Sequence, residues 1–152
     1  MTRMKRETPH QEIKRAFADV PLPRERVAPH FCGECDEIVD FLQGRTRESL
    51  TQADMWVFGE TRLHLISAEA LHYYFPRILE KALRTDEAEF LSYVLCFLGS
   101  NSSHTTSQVA LFTDEQRQVI SRFLLFIKTH RYENVVECLV EDEMRAALNF
   151  WA

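Results

Sequence analysis

The sequence predicts an all-α fold: an irregular single-domain helical bundle with a proline-kinked central helix and an extended, proline-rich N-terminal arm. Three observations carry this. Apolar residues recur at three- and four-residue spacing between capping signals, as amphipathic helices require. No stretch sustains the strict alternation of a half-buried strand. Glycine and proline number only 4 and 5 in 152 residues, too few for an all-β chain with many tight turns. No repeat of a solenoid's length is visible.

The elements follow in order. Residues 1–9 are expected to form a flexible, charged terminus, and 10–152 one helical domain. Gln11 to Asp19 reads as a short helix with Ile13 and Phe17 inward. Pro21, Pro23 and Pro29 then break any helix and push their predecessors toward extended geometry. This is the arm, with Val20, Leu22 and Val27 as anchors. Glu34 to Gln43 is a helix with Ile38, Val39, Phe41 and Leu42 apolar, and Gly44 supplies the left-handed residue that ends it. Thr51 and Asp54 open another helix in a box-like arrangement, running to Gly59.

Leu65 to Leu83 is the central element. Ser67 is its N-cap and Glu69 lies in its first turn, where a negative charge suits the dipole. Leu71, Tyr74, Phe75, Ile78, Leu79 and Ala82 make one stripe. Pro76 removes a hydrogen bond to the carbonyl of His72, so a kinked helix, or two short ones, is expected. Thr85 starts a helix that ends at Gly99. Ser100 to Gln108 reads as a mobile polar loop, and Val109 to Phe112 as a lead-in. Thr113 and Gln116 form a capping box for a helix to His130. Glu133 to Trp151 reads as one last helix, with Val136, Leu139, Val140, Met144, Ala147, Leu148 and Trp151 inward.

The net charge of −5 disfavours general nucleic-acid binding, which runs on excess Lys and Arg. No apolar run approaches a membrane span and no signal-peptide core follows the basic start. A cytoplasmic protein is therefore expected, with no membrane or nucleic-acid partner, and Cys32, Cys35, Cys96 and Cys138 reduced.

One segment is a candidate for chemistry. In His30-Phe31-Cys32-Gly33-Glu34-Cys35, two thiols two residues apart can grip one metal, with His30 as a third ligand. Zinc would need a fourth ligand, and no second Cys or His pair supplies it. The same residues allow thiol redox chemistry, because Cys32 lies at a helix start that favours thiolate. Glu34, Asp36, Glu37 and Asp40 oppose it by charge. The bland alternative, a pair with no chemistry, also stands. His72 and Tyr73, beside the Pro76 bend, read first as packing, as aromatics at a bend usually do; a groove there for a ligand or partner is the alternative. The acidic faces of 34–40 and of Glu137, Glu141, Asp142 and Glu143 are solvated, or meet a basic partner. The hydroxyls and His104 of 100–107 lack the orienting acid and oxyanion donors that a catalytic set requires.

Three blocks (HFCGECDEI with the following LQG, LISAEALHYYFPRIL, and LFTDEQRQVISRFLLFI) resemble a family of small bacterial proteins known only as a domain of unknown function. The chain departs from that pattern at Ala68, Phe75 and Arg45-Thr46-Arg47. The resemblance implies a helical fold and no activity. With no assembled catalytic set, the sequence points first to a non-enzymatic, regulatory or toxin-neutralising domain that binds an unknown protein partner, with homo-oligomerisation open. No cofactor is expected on that reading. A zinc protein using His30, Cys32 and Cys35 is the alternative, and a dithiol protein using Cys32 and Cys35 the third.

Overall fold

Thr8 opens the first helix, α1 (Pro9–Ala16), through a reciprocal capping box: its hydroxyl accepts from Gln11 N and the Gln11 side chain accepts from Thr8 N. Pro9 takes the first helical position, where its missing N–H costs nothing. The helix thus starts two residues before the apolar pattern does. The structure, a computed structural model, describes residues 6–152. Residues 1–5 of the expected flexible terminus lie outside the described residues. Among those described the chain is all-helical, with no strand, and no helix is long and apolar enough to cross a membrane.

The proline-rich arm is irregular and stitched to the central helix. Val27 O accepts from Ser67 N at 2.8 Å and Glu69 Oε2 accepts from Arg24 N at 2.8 Å. Val20 and Val27 pack on the core, whereas Leu22 is exposed. Next comes α2 (Gly33–Leu42), with Gly44 at φ +72° just beyond its end. The expected α-helix over 51–59 is instead a 3-10 segment, Ala53–Phe58. Thr51 and Asp54 do exchange hydrogen bonds, at 2.8 and 3.2 Å, and the segment they open closes in the tighter i to i+3 pattern, with Gly59 N bonding Trp56 O.

The central helix, α3 (Ala68–Ala82), runs unbroken through Pro76. Ser67 caps it as expected, accepting from Ala70 N. One side of α3 grips the irregular segment that follows α2. The Tyr73 hydroxyl accepts from Arg47 N, Tyr74 donates to Arg45 O, Arg77 donates to Leu50 O and Lys81 reaches Gln52 O. These contacts satisfy backbone groups that irregular chain leaves unpaired. Tyr73 is accordingly buried, although its place off the apolar stripe pointed outward. At the other end Arg131 donates to Leu83 O at 3.1 Å and to Asn134 Oδ1 at 2.6 Å.

The C-terminal half is built from α4 (Ala88–Leu98), α5 (Ser103–Gln108), α6 (Asp114–His130), α7 (Tyr132–Glu137) and α8 (Glu141–Trp151). Thr85 does not cap α4. The helix starts at Ala88 with no side-chain cap, because the Glu87 carboxylate is taken by Lys81 at 2.8 Å. Two further expectations are overturned. The polar loop 100–108 contains a helix: Ser102 caps it, accepting from Thr105 N, and buried Gln108 donates to Leu63 O and Ile66 O at 2.8 Å. Tertiary bonds replaced the missing apolar period. The single last helix is two, broken at Leu139 (φ +57°). Leu139 N bonds Val136 O and Val140 N bonds Val135 O, the paired closure of a Schellman motif. Past that break the register restarts, which leaves Leu139 80% and Val136 44% exposed.

Packing joins α1 to α6, α6 to α8, α8 to α4 and α4 to α3. Phe112 sits where three of them meet, 5.7 Å from the Phe17 ring, 5.2 Å from Phe75 and 6.1 Å from Trp151. Gly99 allows the closest approach: a Cβ there would lie 2.5 Å from Glu143 O of α8. Trp151 Nε1 donates to Leu98 O at the same junction. α2 stands outside this helix-on-helix set. It packs on the arm and on the irregular middle of the chain, with Phe41 against Trp56 at 4.9 Å and Glu34 beside Arg62 at 3.6 Å.

Candidate functional site

The start of α2 brings Cys32 and Cys35 together. Cys32 has extended backbone (φ −140°, ψ 165°) and is the N-cap; its sulfur accepts from Cys35 N at 3.4 Å. An oxygen is the usual cap because sulfur is a weak acceptor. Cys32 is exposed. Cys35, three residues on, falls in the stripe Cys35, Ile38, Leu42 and is buried in the core. The extended N-cap backbone leaves Cys32 outside the helix, while Cys35, three residues before Ile38, joins the apolar stripe, and that spacing was the signal for its burial.

The surroundings push the two thiols in opposite directions. The backbone N–H of Cys35, and then its side chain, stabilise charge on Cys32 and hold that thiol below its ordinary range; Glu34 opposes this only weakly. Burial pushes the Cys35 thiol up, with contact to Cys32 adding to it. The acids of α2 were expected to oppose thiolate formation, and the Glu34 charge does so. Two of them are spoken for: Asp36 pairs with Arg26 and Glu34 lies beside Arg62. The hydrogen bonds at the cap outweigh what remains.

Arg26 is the residue the sequence did not flag. From the arm it donates to Ala28 O at 2.7 Å, pairs with Asp36 and stacks over the Phe31 ring at 5.0 Å. It therefore ties the arm to the first turn of α2. Phe31, beside Cys32, is 88% exposed. Arg26 also borders a cleft of about 600 Å³ between arm and helix, walled by Leu22, Val27, Val39, Leu42 and Tyr74.

His30 is exposed beside this pair. Among the described residues no group of three or more His, Cys, Asp or Glu side chains is arranged to hold a metal ion. With Cys35 in the core and Cys32 at the surface, the three expected ligands, His30, Cys32 and Cys35, find no assembled set around them. Cys96 and Cys138 lie on α4 and after α7, and the Cys138 thiol donates to Ala88 O.

His72 and Tyr73 are engaged separately. His72 Nε2 lies 2.7 Å from Gln116 Oε1, which also accepts from Thr113 N, while Gln116 Nε2 donates to Ala16 O. The shared amide oxygen makes His72 Nε2 the donor. Tyr73 meets Arg47, whose guanidinium stacks on its ring and donates to its carbonyl. A cleft of about 220 Å³ does border Pro76, but it is walled by Lys14, Arg47, Glu48, Arg77 and Glu80. His104 bonds His64 O at 2.6 Å, while the hydroxyls of Ser100, Ser102 and Thr105 bond one another.

A family model described as a family of unknown function (DUF6714) matches residues 5–152. No curated protein and no solved structure matches the chain.

Proposed function

The chain belongs to this family of unknown function, and from that premise we propose that it is a dithiol protein in which Cys32 attacks a disulfide and Cys35 resolves the adduct. The observation that carries this is the division between the two thiols: an exposed one held below its usual range at a helix N-terminus, and a buried one held above it. The thiolate is the nucleophile, so reactivity is directed to the accessible sulfur.

The exchange balances as follows. Cys32 thiolate bonds to one sulfur of the incoming disulfide; that S–S bond breaks and the other sulfur leaves as a thiolate, which takes a proton from water. Cys35 then gives its proton to water and attacks Cys32 Sγ. The mixed disulfide breaks and the second half of the substrate leaves. Two electrons pass to the substrate, and the chain holds a Cys32–Cys35 bond. Two of the acids near Cys32, Asp36 and Glu34, are countered by Arg26 and Arg62, and the cap hydrogen bonds act first on its charge.

The test is alkylation and mass spectrometry on the reduced protein. Cys32 should react with iodoacetamide first, with a pH midpoint below that of an ordinary thiol. Hydroxyethyl disulfide should leave a Cys32–Cys35 bond in the parent, and a trapped mixed disulfide on Cys32 in Cys35→Ser. An ordinary midpoint together with no internal bond sinks the proposal.

A protein-binding role of the regulatory or toxin-neutralising kind is the second reading, and exposed Phe31 supports it. Such a partner would bury Phe31 and shield Cys32 beside it, so protection of Cys32 from alkylation is its signature.

A further inference from the structure

Besides its neighbouring thiols, α2 carries more negative charge than the basic side chains around it neutralise. Glu34, Asp36, Glu37 and Asp40 are all exposed on this helix, which begins at the dithiol. Arg62 and Arg26 answer Glu34 and Asp36. Among the described residues Glu37, Asp40 and, on the arm, Glu25 have no ion-pair partner within 4.0 Å. Glu37 and Asp40 follow Cys32 by five and eight residues, so they stand within about 12 Å along a helix that rises ~1.5 Å per residue. That is close to one Debye length at about 0.1 M salt.

The acids define no site by themselves; the exposed Cys32 sulfur, with Cys35 behind it, does. Their placement decides which disulfides reach that sulfur. The paired acids sit closest and are neutralised, which keeps thiolate accessible, while the unpaired ones lie farther off and set the sign of the approach field. A cationic disulfide is drawn in and an anionic one repelled, because like charge lowers the encounter rate and opposite charge raises it.

We infer that the physiological substrate is a disulfide carried on a basic polypeptide segment, and that small anionic disulfides are discriminated against. This rests on the dithiol proposal above. Exposed Phe31 beside the sulfur suits a polypeptide, since an aromatic side chain offers large contact area at little conformational cost.

The experiment compares rates of oxidation of the reduced full chain by cystamine (dicationic), hydroxyethyl disulfide (neutral) and dithiodiglycolate (dianionic) at neutral pH and low salt. Cystamine should react on the order of tenfold faster than dithiodiglycolate after each is normalised to its rate with a small neutral dithiol. The gap should narrow in 0.5 M sodium chloride and shrink in the Glu37→Gln/Asp40→Asn double variant, whose changes are on the exposed face. Equal normalised rates, or a gap that survives both salt and the double variant, overturn the inference while leaving the dithiol proposal standing. Oxidation by none of the three overturns both.

Discussion

Two helices of this chain begin with the same geometry and different atoms. At α6 the Thr113 hydroxyl accepts from Gln116 N, and Gln116 answers by accepting from Thr113 N while bonding His72 and Ala16. At α2 a thiol takes the cap position, and no side chain returns the bond. The α6 start is built into a lattice joining α1, α3 and α6. The α2 start faces solvent, on an element held by the arm and by irregular chain. The difference teaches that the C-terminal half uses its polar groups to fix helices against one another, while the arm and α2 hold a reactive pair where a better cap was available.

Four substitutions probe the contrast. Gly99→Ala should have the largest effect. Its Cβ would meet Glu143 O at 2.5 Å with backbone on both sides, so α4 and α8 must part. Overpacking of this kind costs about 1–3 kcal/mol or more, read as a lower midpoint in urea unfolding. An unchanged midpoint would mean that the tight packing assigned to the C-terminal half is not rigid.

Next come the two caps, tested side by side. Thr113→Ala should cost about 1 kcal/mol, the usual worth of a hydroxyl cap, and more if Gln116 loses its hold on His72. Cys32→Ala should cost less than about half of that, because sulfur accepts weakly. Equal losses would show that the thiol is kept for stability, and the contrast would collapse.

The smallest effect expected is a gain. Leu139 holds φ +57° with its side chain exposed. Left-handed backbone costs an L-residue ~1–2 kcal/mol, part of which glycine returns through its greater unfolded-state entropy. Leu139→Gly should therefore raise stability by about 0.5 kcal/mol, measured as a higher thermal midpoint. A loss would mean that Leu139 packs against something in solution, for example a second copy of the chain.

The sequence carried the helical class, the caps at Ser67 and Thr113, the end of α2 at Gly44 and the stripe of α3, because these depend on neighbours within one or two turns. It also singled out the segment on which the dithiol proposal rests. Local pattern could not find α5, whose buried Gln108 is satisfied only by the carbonyls of Leu63 and Ile66, more than forty residues away. Nor could it find the break at Leu139, which sits inside an apolar pattern that continues on either side. Tyr73 was misplaced for the same reason: what buries it is the backbone of Arg47.

For the dithiol the boundary is sharper. Spacing alone put two cysteines on one helical turn, and periodicity sent Cys35 inward, because an α-helix repeats every 3.6 residues whatever surrounds it. The cap itself favours charge on Cys32, through the Cys35 N–H and side chain; how much of the surrounding acid stayed uncompensated was a matter of tertiary structure. Linear charge counting set it among four acids. The fold brought Arg26 from the arm and Arg62 from a 3-10 turn onto two of them. Ion pairs form through space, so residues remote along the chain set the field around the motif, while the hydrogen bonds that hold charge on Cys32 stay within one helical turn.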